Sequence, residues 1–429
     1  MRRLFKWLVP GLKIKRWVFL TLAGMLLANI GVASLTLAIY VHLYRGRHET
    51  QLFWLGALLL AVGAVLTFRG ARRTIRSVVQ AIAPMRRIGL LDAFYENRTK
   101  SRGPKIVVIG GGTGLSTVLR GLKHYSENIT AVVAMADDGG SSGRLRADLG
   151  MLPPGDIRSC LTALAEEEDF LTRLFQYRFD KGELSGHSFG NLFLAAMSAI
   201  TGDLPSAIRQ SSKVLAVQGQ VLPATLDSLI LVARLRDGRI VRGESTISKL
   251  PDPIAQVWLE PQEPRALPEA VNAIREADAI ILGPGSLYTS IVPNLLIPEI
   301  RQALQASRAH KIYICNVMTQ PGETDGFRAS DHVRVLRAYG ADLFDAVMAN
   351  RQLPSRLLAN YQKNEQFPVE IDEDLQKFGV RVFVSDLLDE TDLVRHDHTA
   401  LARSIMDWLA FSKGETALGS LTCLFGEKP

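Results

Sequence analysis

The stretch Lys105–Gly114, KIVVIGGGTG, decides the fold. Ile106 to Ile109 is a short apolar run rich in β-branched residues, which reads as a buried parallel strand. The glycines after it force a tight turn where backbone can approach a ligand. LSTVLRGLKHY, from Leu115, then has the apolar spacing of a helix, so the unpaired amides of its first turn point back over the glycines. Those donors and the helix dipole favour an anion, most often a phosphate.

Downstream the alternation of strand and helix continues. ITAVVAMA, Ile129 to Ala136, is a second strand ending in Asp137 and Asp138, and Ile157 to Glu166 is a helix with Asp156 expected as its N-cap after LPPG. Ser188 to Ile200 is an apolar helix opened by SGHSFGN. SLILVARLRDGRIVRGES reads as a hairpin turning at Asp237-Gly238, taken as an insertion at the edge of the sheet. Ala279 to Leu282, Lys311 to Cys315, FDAVMAN and VRVFVSDLL supply further strands, and Thr399 to Lys413 a closing helix. The expected class is α/β, a doubly wound, mostly parallel sheet with a smaller inserted subdomain.

Upstream, Trp17 to Tyr44 exceeds the roughly 20 apolar residues that cross a bilayer, and the uncharged Leu52 to Phe68 lies near the lower limit of about 17. Arginines and lysines crowd before the first span and after the second, so the positive-inside rule places both flanks, and the domain that follows, in the cytoplasm. The first span is too long for the apolar part of a signal peptide. Residues 1–100 hold 16 Lys and Arg against 3 Asp and Glu, so the overall charge of +7 leaves the remainder net acidic, which argues against nucleic acid as a partner. Cys160, Cys315 and Cys423 form no disulfide framework. The expected division is an anchor at 1–83, a linker at 84–104, a nucleotide-binding domain at 105–390 and a helical extension at 391–429.

Several strands end in small or polar residues, as in sheets that bind ligands beyond their carboxyl edge. Gly111, Gly112, Thr113 and Gly114 form one anion cradle; Gly283, Gly285, Ser286 and Thr289, in LGPGSLYTS, form a second. In DDGGSSGRLR, Asp137 and Asp138 could hold a ribose or a hydrated Mg²⁺ carried by a diphosphate, while Ser141, Ser142 and Arg144 could wrap an anion. Alternatively Asp138 caps a turn and the arginines are solvated. Asp156 is presented to the same edge, and Asn191, Asn316, Thr319 and Gln320 are neutral groups able to read a base or a sugar. GGGTG lacks the third glycine of the dinucleotide fingerprint and no catalytic His or Lys pairing is obvious, so a dehydrogenase is a poor fit; the Walker lysine and the nucleophile elbow are absent as well.

The series VIGGGTGLSTVLRGLK, ADDGGSSGRLR, LPPGDIR, LSGHSFGNLFLAAM, KVLAVQGQVLPAT, GPGSLYTSIVPNLL and YICNVMTQPGETDGF resembles the gluconeogenesis-factor (YvcK-type) branch of the CofD-like proteins, over roughly Lys105 to Asp386. The resemblance implies a Rossmann-like domain with a smaller subdomain, binding of UDP-N-acetylglucosamine, a homodimer, and a cytoplasmic role in cell-shape control during growth on non-sugar carbon. CofD proper is similar in fold and transfers 2-phospho-L-lactate from a guanosine diphosphate donor to a deazaflavin alcohol, with Mg²⁺. Here the second loop reads DDGGSSG, the gluconeogenesis-factor form, which favours a regulator over a transferase. The two N-terminal spans lie outside the shared domain and imply a membrane-tethered version.

Overall fold

The computed structural model describes residues 15–45, 50–82, 100–166, 168–415, 419 and 421–425. These fall into two compact units, within residues 1–96 and 97–429. Most of the expected linker, residues 84–99, lies outside the described residues.

The first unit is a pair of antiparallel helices, α1 (Lys15–Arg45) and α2 (Thr50–Ile82). Each carries a window long and apolar enough to cross a membrane, Arg16–Tyr44 and Thr50–Ser77, both of mean hydropathy 2.0. Gly24 and Gly31 on α1, and Gly56, Gly63 and Gly70 on α2, repeat at seven-residue intervals along the seam. A Cβ at any of them would press on the opposite helix, as at Gly31, where it would lie 2.5 Å from the Leu60 backbone nitrogen. Small residues let helix backbones approach closely where lipid offers no hydrophobic drive to associate.

The second unit is built on an eight-stranded sheet. The first three strands are β1 (Ile106–Gly110), β2 (Ile129–Val133) and β3 (Gln220–Pro223). A separate antiparallel sheet follows, β4 (Ile230–Leu235), β5 (Ile240–Arg242) and β6 (Ile254–Glu260). The main sheet resumes with β7 (Ala279–Leu282), β8 (His310–Ile314), β9 (Ala346–Asn350) and β10 (Arg381–Ser385). A two-residue pair, β11 (Leu388–Asp389) and β12 (Arg395–His396), precedes β13 (Thr422–Phe425). Spatial order is β13-β10-β9-β8-β7-β1-β2-β3, parallel except for β13. The chain thus winds outward from β1 in one direction, returns to β7, and winds outward in the other. Between β1 and β7 lies the topological switch point, where doubly wound sheets open a crevice at the carboxyl ends of their strands.

Alternating side chains of the central strands feed two cores, as period-two geometry requires. Val107, Ile109, Ile280 and Leu282 pack on one face, Ile106, Val108, Ala279 and Ile281 on the other, all at most 2% exposed. Such doubly buried strands read as continuous apolar runs.

Two expectations are corrected. The hairpin turning at Asp237-Gly238 does not extend the main sheet: it pairs with β6, a strand the sequence reading did not include, and its apolar face joins the core over β7. The C-terminal segment is more than a helical extension, since the helix His398–Ser412 buries Leu401, Ile405 and Trp408 in the second core and β13 pairs with β10.

Candidate functional site

The first glycine turn carries the geometry that sequence alone suggests. Gly111 is extended, Gly112 has φ of +63°, and helix α3 (Gly112–Leu122) starts there with no side-chain cap from its own N-cap residue. Gly112 adopts a left-handed conformation that a Cβ would strain. A Cβ at Gly114 would overlap the Pro284 carbonyl oxygen, so bare backbone lets α3 sit directly on the turn that follows β7. The two turns therefore touch across the switch point.

Between them opens a cleft of about 520 Å³. Gly111, Gly112, Thr113, Gly114, Gly285, Ser286, Asn316, Thr319 and Gln320, all singled out in the sequence, line it. A smaller pocket of about 290 Å³ takes Asp137, Ser141, Ser142, Asp156 and Asn191, with Arg158 and Arg178. Here the first turns of α4 (Gly140–Leu149) and α5 (Gly155–Leu164) face inward, neither capped by its own N-cap side chain. Asp156 joins the two spaces, because its Oδ2 accepts a hydrogen bond from Gly112 N at 2.7 Å.

The remaining candidates are placed elsewhere. Gly283 is buried behind its turn, and Arg144 reaches outward to the Ser185 carbonyl at 2.9 Å. Thr289 donates to Glu323 Oε1 at 3.2 Å, inside the protein, and it is Ser290 that lines the cleft. Asp138 lines neither space: its Oδ1 accepts from Ser245 N at 2.8 Å, capping the short helix Glu244–Ile247 of the inserted subdomain. Asp156 is not the N-cap of its own helix, which is Pro154; it caps α3 instead.

Several neutral groups expected to read a ligand are engaged by the protein. Asn316 holds Gly285 at both ends of its amide, accepting from N at 3.3 Å and donating to O at 2.9 Å. Thr319 Oγ1 accepts from Phe367 N at 2.9 Å. Gln320 Nε2 donates to Ser286 Oγ at 2.9 Å and leaves Oε1 buried without a partner. Asn191 Oδ1 is likewise buried and unpartnered in the smaller pocket. A buried acceptor left unmatched costs about 1–3 kcal/mol, so both call for a donor.

Nothing in the sequence pattern marks Glu244, which the inserted subdomain brings into the cleft beside Gly111–Gly114. Burial, then the charges of Asp137, Asp138 and Asp156, push its carboxyl up to about 7. Burial raises Asp156 to about 6, against the hydrogen bond from Gly112 and with help from Asp137. Burial and the Arg178 charge lower the Arg158 guanidinium from its ordinary value. His396, also lining the cleft, is lowered to about 4 by burial, against a bond to the Cys315 backbone, so it is a neutral imidazole. Among the described residues no three His, Cys, Asp or Glu side chains converge as a metal site, and Asp137 Oδ1 already accepts from Gly139 N at 2.9 Å.

A larger groove of about 760 Å³ lies at the opposite edge, where Lys105, Glu127, Asn128 and Gln220 meet at the starts of β1 to β3. It is remote from every loop described above, and parallel sheets place their ligands at the other edge.

Known proteins resemble this chain in sequence and fold. The family described as 2-phospho-L-lactate transferase CofD matches residues 106–388. A relative from Nostoc sp. is 50% identical over 431 residues, spanning 94% of this chain and 92% of its own. The Bacillus subtilis protein named gluconeogenesis factor is 50% identical over 311 residues, spanning 71% of this chain and 98% of its own. Part of this chain thus has no counterpart in the shorter relative. A crystal structure of a Bacillus halodurans protein superposes with TM-score 0.69 at 48% identity, covering 71% of this chain and all of that one. The chain belongs to the CofD family, among the relatives named gluconeogenesis factors.

Proposed function

We propose that the cleft at the switch point binds a nucleotide sugar through its diphosphate, and that the protein is a membrane-tethered regulator rather than a catalyst. The observation that carries this is the contact of two glycine turns, Gly111–Gly114 and Gly283–Ser286, whose helical first turns open on one cleft. Main-chain amides at such turns suit phosphate oxygens. The unmatched acceptors on Gln320 and Asn191 favour a ligand rich in hydroxyl or N–H donors, as a sugar is. UDP-N-acetylglucosamine is the ligand of choice, with control of cell shape on gluconeogenic carbon as the role. Mg²⁺ would come as the diphosphate's counterion, largely hydrated, rather than in a protein cage. The N-terminal helices would hold the domain at the inner face of the cytoplasmic membrane, with a homodimer as the working assembly.

The test is thermal: UDP-N-acetylglucosamine should raise the melting temperature of the 97–429 unit, and Gly112→Val, strained at φ of +63°, should abolish the rise. No shift with any nucleoside diphosphate would sink the reading.

The family match over residues 106–388 favours one alternative, a transferase moving 2-phospho-L-lactate from a guanosine diphosphate donor to a deazaflavin alcohol. Product formation from those two substrates with Mg²⁺ would establish it; nucleotide binding without turnover leaves the regulator.

A further inference from the structure

The amide of Gly112, the first donor that α3 offers to an incoming phosphate, is already occupied by the Asp156 carboxylate at 2.7 Å. The fit is tight: a Cβ at Gly111 would lie 2.9 Å from the same oxygen, Asp156 Oδ2. Asp156 arrives from α5, on a different loop, so the contact is made only in the folded domain. It places a negative charge where a helix N-terminus would otherwise hold a ligand anion.

We propose that Asp156 is a resident anion at the first glycine turn, and that a diphosphate entering there forces it to take up a proton. This rests on the reading that the cleft binds a nucleotide diphosphate. Two formal charges cannot share one donor cluster cheaply, because like charges at close range favour the neutral form of one of them. The phosphates of a nucleotide sugar are diesterified and carry no proton to gain or lose near neutrality, so Asp156 yields.

The surroundings lean the same way. Asp137, from the loop after β2, and Glu244, from the inserted subdomain, both face Asp156 and oppose its charge; Arg158 on its own helix supports it. Arg178 lines the same small pocket, and Cys160, one turn along α5, is a buried thiol raised well above its usual value. Asp156 already sits at about 6, within easy reach of protonation. Glu244 lines the cleft itself and is the rival candidate for that proton, which its own variant separates from Asp156.

The experiment is calorimetric titration of the full chain in detergent with UDP-N-acetylglucosamine, in pairs of buffers of different ionisation enthalpy, at pH 6 and pH 8. The wild type should take up close to one proton at pH 8, and affinity should fall by roughly tenfold per pH unit above the free Asp156 value. Asp156→Asn, whose oxygen can still accept from Gly112, should bind more tightly than the wild type at pH 8 and lose that proton. Glu244→Gln should retain it. Tight wild-type binding with no proton uptake would overturn the proposal, as would an Asp156→Asn variant that binds more weakly at pH 8, which would make Asp156 a direct ligand contact. Absence of binding at either pH would instead remove the nucleotide reading on which the proposal stands.

Discussion

Thr289 and Glu323, from two different loops, share a buried hydrogen bond in which the hydroxyl donates to Oε1 across 3.2 Å. Tyr288 N also donates to Glu323, at 3.3 Å, so this carboxylate caps the second glycine-turn helix from outside just as Asp156 caps the first. The Thr289 hydroxyl is therefore spent inside the protein. Thr289→Val should destabilise the domain by about 1–3 kcal/mol, the range for a buried polar partner left unmatched, yet leave nucleotide affinity within twofold. Denaturant melts and binding isotherms on the same variant check both halves; a large affinity loss without destabilisation would put Thr289 back in the cleft.

Stability should depend on pH through the raised carboxyls. Burial lifts Glu323 from 4.5 to about 7, and Asp156 and Glu244 rise with it. A carboxyl whose folded value exceeds its unfolded one holds its proton more tightly in the folded state, so its contribution is present at low pH. That contribution is lost as pH climbs from about 4 through about 7. Glu323→Gln should remove up to about 3 kcal/mol of this slope, with the variant gaining on the wild type at pH 8. Calorimetric scans between pH 5 and pH 8 read the difference, and parallel curves for the two proteins would refute it.

The inserted subdomain is pinned to the site by Asp138, whose Oδ1 accepts from Ser245 N and whose carboxylate abuts Gly243. Asp138→Ala removes a cap, at a cost of about 1 kcal/mol. Hydrogen exchange at residues 243–247 should quicken. Unchanged exchange there would mean the subdomain is held by other contacts, such as Arg146 to Ser228 at 2.9 Å.

Gly31→Leu should part the two N-terminal helices, because the new side chain would meet the Leu60 backbone at once. Overpacking of this kind costs about 1–3 kcal/mol. Hydrogen exchange along α1 and α2 of the full chain in detergent should quicken in the variant relative to the wild type. Equal exchange would show that the seam can absorb the bulk.

Much of the architecture is legible in the chain. Ala279–Leu282 is found as a strand at its expected bounds, since a four-residue apolar run buried on both sides leaves little choice. The turn at Asp237-Gly238 is equally plain, because the dipeptide states its own backbone requirement. β6 is not legible because its alternation is imperfect and prolines precede it; nor is β13, because four residues with two half-buried positions carry little signal. The site divides along the same line. Glycine turns announce themselves locally, and the residues at 111–114 and 285–286 do meet in one cleft. Asp156 is expected at this edge, but its capping of α3, like that of the second turn by Glu323, is not legible, because capping in trans depends on which loops the fold brings together, and spacing in the chain says nothing of that. Glu244 was invisible for the same reason, since only the packing of the inserted subdomain brings it to the cleft.

The neighbouring placement of β1 and β7 has a bearing on synthesis. During translation the first loop emerges long before its companion, and until Ser286 has left the ribosome the nascent chain has only one of the two turns that line the cleft. The cleft therefore cannot take shape until synthesis is well past the midpoint of the chain, because its two walls are neighbours in the sheet and strangers in the sequence.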